Sequence, residues 1–231
     1  MIERADSGFY RIEKGNVSVH LNDSLGQSYR GLSSYYSFNA GGYLSFLGPD
    51  GFEVDYLVPG HGSAYVMGTG ERTVLASLLS TKYFITREWG NQTPPFGYRP
   101  WGRAGDARIY RNDCFIPLGS VYSHGISEDA VRRYPPEVRD LIALAAAVVP
   151  SDGTGVESGT LTDLPEEELQ KIETAAEARG SREWESFYYR LASDLAKTAV
   201  DWSVIEENRL IGSVYLEEPG PNEQGTTNAS A

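Results

Sequence analysis

Few residues here have the spacing that a reaction centre needs. The three histidines, His20, His61 and His124, form no His-x-His pair and no His-Glu-x-x-His helix, so a helix-borne zinc site is not expected. Gly68-Thr69-Gly70-Glu71 is glycine-rich but lacks the Gly-Lys-Ser/Thr that completes a phosphate cradle, and it reads as a plain loop. No Gly-x-Ser-x-Gly elbow is present for a serine nucleophile. The 32 acidic side chains could supply a glycosidase pair, but that chemistry needs two carboxylates facing across a cleft, which spacing alone cannot place. Asn16, Asn22, Asn91 and Asn228 begin N-x-Ser/Thr triplets, which matter only in a host that glycosylates them.

Binding chemistry is better represented. Between Lys82 and Arg111, Lys82, Arg87, Arg99, Arg103, Arg108 and Arg111 stand against only Glu88 and Asp106. Within this stretch, the loop Glu88–Arg103 interleaves Trp89, Phe96, Tyr98 and Trp101 with Pro94, Pro95 and Pro100. Exposed, these rings and arginines would enter a membrane interface or stack on a glycan; turned inward, the rings would pack beneath the loop. The charge likewise suits a solvated sheet face or a surface meeting anionic phosphate of lipid or polymer.

Composition narrows the classes further. The chain has 231 residues, 40% hydrophobic and 23% charged, which favours a packed core over disorder. The net charge of -12 argues against non-specific nucleic-acid binding. That acidity is concentrated late: residues 1–150 hold 14 basic and 15 acidic side chains, residues 151–231 hold 6 and 17. A single cysteine, Cys114, excludes an internal disulfide. No cofactor is expected. Residues 1–8 are polar, without a signal peptide, and no apolar run reaches the ~20 residues of a membrane span. Leu141–Val149 comes nearest and reads as a helix buried in the fold.

The positioning elements follow from periodicity and turn residues. Phe9–Glu13 and Asn16–His20 alternate as strands around Gly15. Asn22 and Asp23 can cap a helical turn, Ala40–Leu47 is a short helix, and residues 50–70 form an irregular loop. Glu71–Ser80 is a helix feeding a strand over Lys82–Arg87. Asn91–Trp101 is a loop, because proline disfavours a central strand. Ala107–Arg111 and Phe115–Tyr122 then form a hairpin around Asn112-Asp113. Helices follow over Ile126–Tyr134, capped by Ser127, and Pro136–Val149.

A Ser/Gly-rich link over Ser151–Gly159 marks a soft boundary at about residue 150. Thr162 or Asp163 caps a helix over Pro165–Arg179. Ser181 caps a second helix whose stripe of Trp184, Phe187, Tyr188, Leu191 and Leu195 reads as core. Val200–Ile205 and Leu210–Leu216 read as strands, and residues 217–231 as a disordered tail. The expected class is α+β: a small mixed or antiparallel sheet with flanking short helices, a C-terminal helical pair, then a strand pair. The expected domains are residues 1–150, with residues 151–216 packed on them.

Several short segments occur in a telling order: FYRIE (Phe9–Glu13), LNDS (Leu21–Ser24), YRGLSSYYS (Tyr29–Ser37), LLSTKYFITR (Leu78–Arg87), IYRN (Ile109–Asn112) and FIPLGSVY (Phe115–Tyr122). In this order and spacing the chain resembles the soluble region of YfhO-type bacterial membrane proteins, from about residue 9 to 122 and more weakly to about 216. The resemblance implies a module of a multi-spanning glycosyltransferase-like protein, on the extracytoplasmic face of the bacterial membrane. Such proteins take sugar from a polyprenyl-phosphate carrier and decorate envelope polymers of the teichoic-acid type. The Gly-Trp…Asp-Gly strand pair of the family's following β-sandwich is absent, and Val200–Leu216 could be the first strands of that sandwich.

On this reading the module is not catalytic by itself, and the parent protein carries the chemistry. Its partners are its own transmembrane region and anionic envelope polymer or lipid phosphate, with no nucleic acid. Candidate contacts are Tyr29, Ser33, Ser34 and Tyr35 in the Tyr-Ser run, and Arg87, Arg99, Trp101 and Arg103 in the basic loop. Tyrosine faces would stack on sugar and arginines would pair phosphate bidentately. A hydrogen-bonded surface turn is the bland account of the Tyr-Ser run. The alternatives in function are a stand-alone glycan enzyme using a carboxylate pair, and a structural or interaction module.

Overall fold

A computed structural model describes residues 1–15, 22–35, 41–48, 51–52, 54, 65–69, 72–87, 92–153 and 161–200. The central sheet has four strands: β1 (Arg11–Lys14), β4 (Thr81–Arg87), β5 (Tyr98–Ala104) and β6 (Ala107–Asn112), in the order β1-β4-β6-β5. β1 runs parallel to β4, and the other pairings are antiparallel, so the sheet is mixed. β2 (Ser33–Tyr35) and β3 (Tyr65–Met67) form a separate antiparallel ribbon. A third sheet is parallel, with β7 (His124–Ser127) between β8 (Ala147–Val149) and β9 (Thr162–Asp163). The helices are α1 (Ile2–Ala5), α2 (Asp23–Gly26), α3 (Gly41–Leu47), α4 (Thr73–Leu78), α5 (Glu128–Val131), α6 (Pro136–Ala145), α7 (Glu166–Glu177) and α8 (Arg182–Lys197). The fold is therefore α+β, as the patterning implies.

Several expected elements differ, for identifiable reasons. The loop expected over Asn91–Trp101 becomes strand from Tyr98, because β5 is an edge strand and tolerates Pro100 there. Phe115–Tyr122 is not a strand; Pro117 and Gly119 interrupt it, Ile116 enters the core, and only Ser120 makes a bridge, to Ala199. Ile126–Tyr134 splits into β7 and the short α5, although Ser127 does cap α5, its Oγ accepting from Ala130 N at 3.3 Å. Pro136–Val149 is helical only to Ala145, since Val148 and Val149 join β8. Tyr65–Met67 is a strand inside the expected irregular loop. Thr162 and Asp163 pair with β7 rather than capping, and Pro165 takes the N-cap position of α7. Asn22 stands at the N-cap of α2 without a side-chain capping bond. The expected strands Asn16–His20 and Val200–Leu216 and the tail fall outside the described residues, apart from Val200, which donates to Gly119 O at 2.8 Å.

Apolar packing gathers in three places. The largest cluster joins α6, α7 and α8 through Leu141, Ile142, Ile172, Tyr188 and Leu191, with Ile116 against them. The α8 stripe is thus core, with Tyr188, Leu191 and Leu195 buried and Trp184 and Phe187 partly so. A second cluster sets Leu47, Phe52, Val66 and Leu75 against Ala143. A third covers one face of the central sheet with Ile2, Tyr10, Ile12, Tyr83 and Ile109.

Buried charge ties these clusters together. Arg72 precedes α4 and forks onto Asp140 of α6, with Nε donating to Oδ2 at 3.0 Å and Nη2 to Oδ1. The same guanidinium donates to the carbonyls of Phe52 and Pro136. Arg139, beside Asp140, donates to the carbonyls of Gly51, Tyr134 and Arg132 at 2.7, 2.7 and 3.0 Å. Burial pushes the Asp140 carboxyl up to about 6 against the opposing pull of Arg72.

Removing either partner leaves a buried charge without its counterion. Arg72→Ala and Asp140→Ala should each lower the unfolding free energy by roughly 3–5 kcal/mol, and the double variant by well under the sum. Urea denaturation of the three variants measures this. Because the folded Asp140 holds its proton more tightly than the unfolded chain does, its contribution to stability should fall as pH rises through about 4 to 6. Above about 6 it should level off, and Asp140→Asn should remove that slope.

Candidate functional site

The basic stretch becomes a β-hairpin. Its turn is Gly105-Asp106, closed by the Ala104–Ala107 pair, and Gly105 has φ +60°, as a two-residue hairpin turn requires. That turn places Arg103 opposite Arg108, and Arg99 opposite Arg111. All four side chains are exposed. Pro100 pairs with Tyr110 and Gly102 with Ile109, so Trp101 is the extra residue of a bulge. Without the bulge, alternation would put Arg99, Trp101 and Arg103 on one face. With it, the Arg103–Arg108 and Arg99–Arg111 pairs lie on opposite faces. Like charges set directly opposite each other oppose the pairing.

Arg87, at the end of β4, reaches the same turn, with Nη1 3.1 Å from Asp106 Oδ2. Arg103 Nε donates to Gly105 O at 3.4 Å. Arg99 is ion-paired with Asp113, its side chain 75% exposed. Trp101 is half-buried, edge-on to Tyr83 with ring centroids 5.2 Å apart. Of the other described rings of the loop, one is buried and one lies at the surface against α8. Tyr98 is buried, and Phe96 sits edge-on to Trp184 and Tyr189 at 5.4 and 5.7 Å. Trp89 lies outside the described residues.

The Tyr-Ser run is elsewhere. Ser33 and Ser34 lie on β2 opposite Met67 and Val66, and Tyr35 pairs with Tyr65. Tyr29 is half-buried under Lys14 Nζ, 5.0 Å from its ring centre, and burial pushes its hydroxyl up to about 12. It lines a cleft of about 760 Å³ with Tyr10, Ser24, Ser28 and Arg30, and none of the loop arginines reaches that cleft. The loop arginines thus stay out of the cleft, while Tyr29 and Trp101 both pack against the cluster of Ile2, Tyr10, Ile12, Tyr83 and Ile109. β2 is held near the central sheet through Gly68, which follows β3 with φ +72°. A Cβ there would lie 2.0 Å from Glu13 Oε1, the oxygen that accepts from Thr69 N at 3.2 Å.

Arg108, named from the sequence as part of the basic stretch but not among the candidate contacts, belongs to the hairpin site. Its signal was Arg-Ala-Gly-Asp-Ala-Arg, in which a two-residue Gly-Asp turn sets the flanking arginines face to face. His124 lines a different groove, of about 470 Å³, and its Nδ1 lies 2.9 Å from Thr162 Oγ1. Of the acids there, Glu167 meets Lys171, Glu168 meets Arg190 and Asp194 meets Lys197. Among the described residues no three His, Cys, Asp or Glu side chains gather as a metal-binding set.

These residues define an α+β domain whose most basic feature is an arginine-bearing hairpin, and no described helix is long and apolar enough to cross a membrane. A family model described as bacterial membrane protein YfhO matches residues 1–222. The chain belongs to the YfhO family of bacterial membrane proteins. No curated protein and no solved structure matches it.

Gly68→Ala should break the contact between the β2–β3 ribbon and Glu13. Both the positive φ and the Oε1 clash oppose the substitution, so a loss of roughly 1–3 kcal/mol is expected, read as a lowered thermal midpoint.

Proposed function

We propose that this chain is the extracytoplasmic, water-facing module of a multi-spanning membrane protein of glycosyltransferase type. In this reading the module is not catalytic in isolation. It assists glycosylation of anionic envelope polymers of the teichoic-acid kind, and the membrane-embedded part of the parent protein carries out the transfer. The observation that carries the reading is the family match over residues 1–222, combined with arginines displayed on a hairpin of an otherwise acidic chain.

That no loop arginine lines the Tyr29 cleft suggests a division of labour. Tyr29, Ser33, Ser34 and Tyr35 have the aromatic and hydroxyl chemistry for the sugar hydroxyls of an acceptor. Arg87, Arg99 and Arg103 have the planar donors for phosphate. Trp101, packed on Tyr83, supports the strand that carries two of them. The acids lining the His124 groove are each tied to a basic side chain, which favours this reading over a stand-alone enzyme with a carboxylate pair.

Titration of the purified chain with teichoic-acid fragments tests the acceptor role. Weak, saturable binding is expected, reduced in a Tyr29→Leu, Ser33→Ala, Ser34→Ala variant. A folded chain that shows no binding at millimolar fragment would remove that role.

A further inference from the structure

We infer that the tip of the β5–β6 hairpin is a bilayer contact, with Arg87, Arg103 and Arg108 seated among the phosphates of anionic lipid headgroups. The inference deepens, and rests on, the reading of this chain as the water-facing part of a membrane protein.

Three observations carry it. The first is position. The hairpin closes in a two-residue turn, Ala104, Gly105 and Asp106 are exposed, and a Cβ added at Gly105 would meet nothing within 4 Å. The tip is therefore convex. A flexible polymer is held best by a groove that wraps it, whereas a projecting point of charge suits a flat array of headgroups. None of the four cavities lined by Tyr29, by His124, by Phe187 or by Trp184 includes a residue of the tip.

The second is the charge arrangement. Register sets Arg103 against Arg108 on adjacent strands, and the Asp106 carboxylate draws Arg87 to the same turn. A phosphate lodged between two opposed guanidiniums turns their mutual repulsion into attraction on both sides, with paired donors from each. Even counting Glu88 and Asp106, the stretch from Lys82 to Arg111 has four more basic than acidic side chains.

The third is contrast with the rest of the chain. The net charge is -12, and residues 151–231 carry 17 acidic against 6 basic side chains. An anionic surface repels that region and attracts the tip, so the same field both binds and orients the module. Each basic residue near such a surface contributes a severalfold gain in affinity, and a few of them make a weak contact. Attachment to a membrane-embedded parent would raise the local concentration enough for a weak contact to hold.

The test is sedimentation of the full chain with vesicles. Equal parts phosphatidylglycerol and phosphatidylcholine should bring the chain down at about 50 mM salt, and less of it at about 200 mM, while phosphatidylcholine alone should not. The triple variant Arg87→Gln, Arg103→Gln, Arg108→Gln should weaken binding roughly tenfold to hundredfold. A charge-matched control, Arg132→Gln, Arg133→Gln, Arg179→Gln, should bind nearly as the parent chain does. Circular dichroism and the thermal midpoint confirm that each variant is folded. If the tip arginines are needed only because they hold the hairpin, Arg→Lys at the three positions separates the cases: it restores vesicle binding if charge is what matters.

The inference is overturned if the chain ignores anionic vesicles at low salt, or if the control and tip variants lose affinity equally. It is also overturned if soluble polyglycerol phosphate displaces the vesicles through the same arginines, which would assign the tip to the polymer. Failure of the teichoic-acid titration alone would remove the acceptor role and leave the vesicle result standing.

Discussion

The buried ion pair between Arg72 and Asp140 is the constraint on which the arrangement of this domain depends. It joins the start of α4 to the middle of α6, and the remaining donors of Arg72 reach carbonyls at Phe52 and Pro136. Arg139 repeats the device on Gly51 and on the turn after α5. Carbonyls in loops and at helix ends are thereby tied down by guanidinium. A buried pair contributes little net stability compared with apolar packing, but its hydrogen-bond directions permit few alternatives. The pair therefore specifies how α4 and α6 meet, and apolar burial supplies the energy. α4 in turn leads directly into β4, so the position of the central sheet follows from where this clamp places α4.

A second buried polar network carries that position through to the hairpin. Asn112, at the end of β6, donates to Ser77 Oγ of α4 at 2.9 Å and to Thr81 O at 3.1 Å. Ser77 also shares a hydrogen bond with Tyr188 of α8 at 2.9 Å, and Tyr98 of β5 donates to Thr81 O at 3.3 Å. Helix, sheet and hairpin base thus converge on a few fully buried side chains. Such a network is stable only when its members are satisfied, which gives the hairpin a rigid root. Its far end is the opposite: exposed, rich in arginine and free of apolar packing. A rigid base with a charged tip is the geometry of a contact surface positioned by a scaffold.

Family membership and fold fit together. The chain belongs to a bacterial membrane protein family, and no helix among its described residues is long and apolar enough to cross a membrane. The charge is uneven along the chain: the hairpin carries two opposed arginine pairs, one on each face, and residues 151–231 hold 17 acidic against 6 basic side chains.

Much was legible from residue order alone. The α+β class, the Lys82–Arg87 and Ala107–Arg111 strands and the caps at Ser127 and Ser181 follow from local rules: alternation, punctuation by Gly and Pro, and side-chain oxygens reaching nearby amides. The α8 stripe was readable as core because helical spacing repeats within the segment. The family, too, follows from segments in order along the chain. What the sequence could not decide involves partners distant in the chain. Whether Pro100 can sit in a strand depends on whether that strand is an edge, and Val148 and Val149 leave their helix only because β7 is there to pair with. The Trp101 bulge sends arginines four residues apart to opposite faces, and the ion pair between Arg72 and Asp140 spans 68 positions. Local propensity is set by a residue and its neighbours, whereas edge status, register and buried charge pairing exist only once the chain has closed on itself.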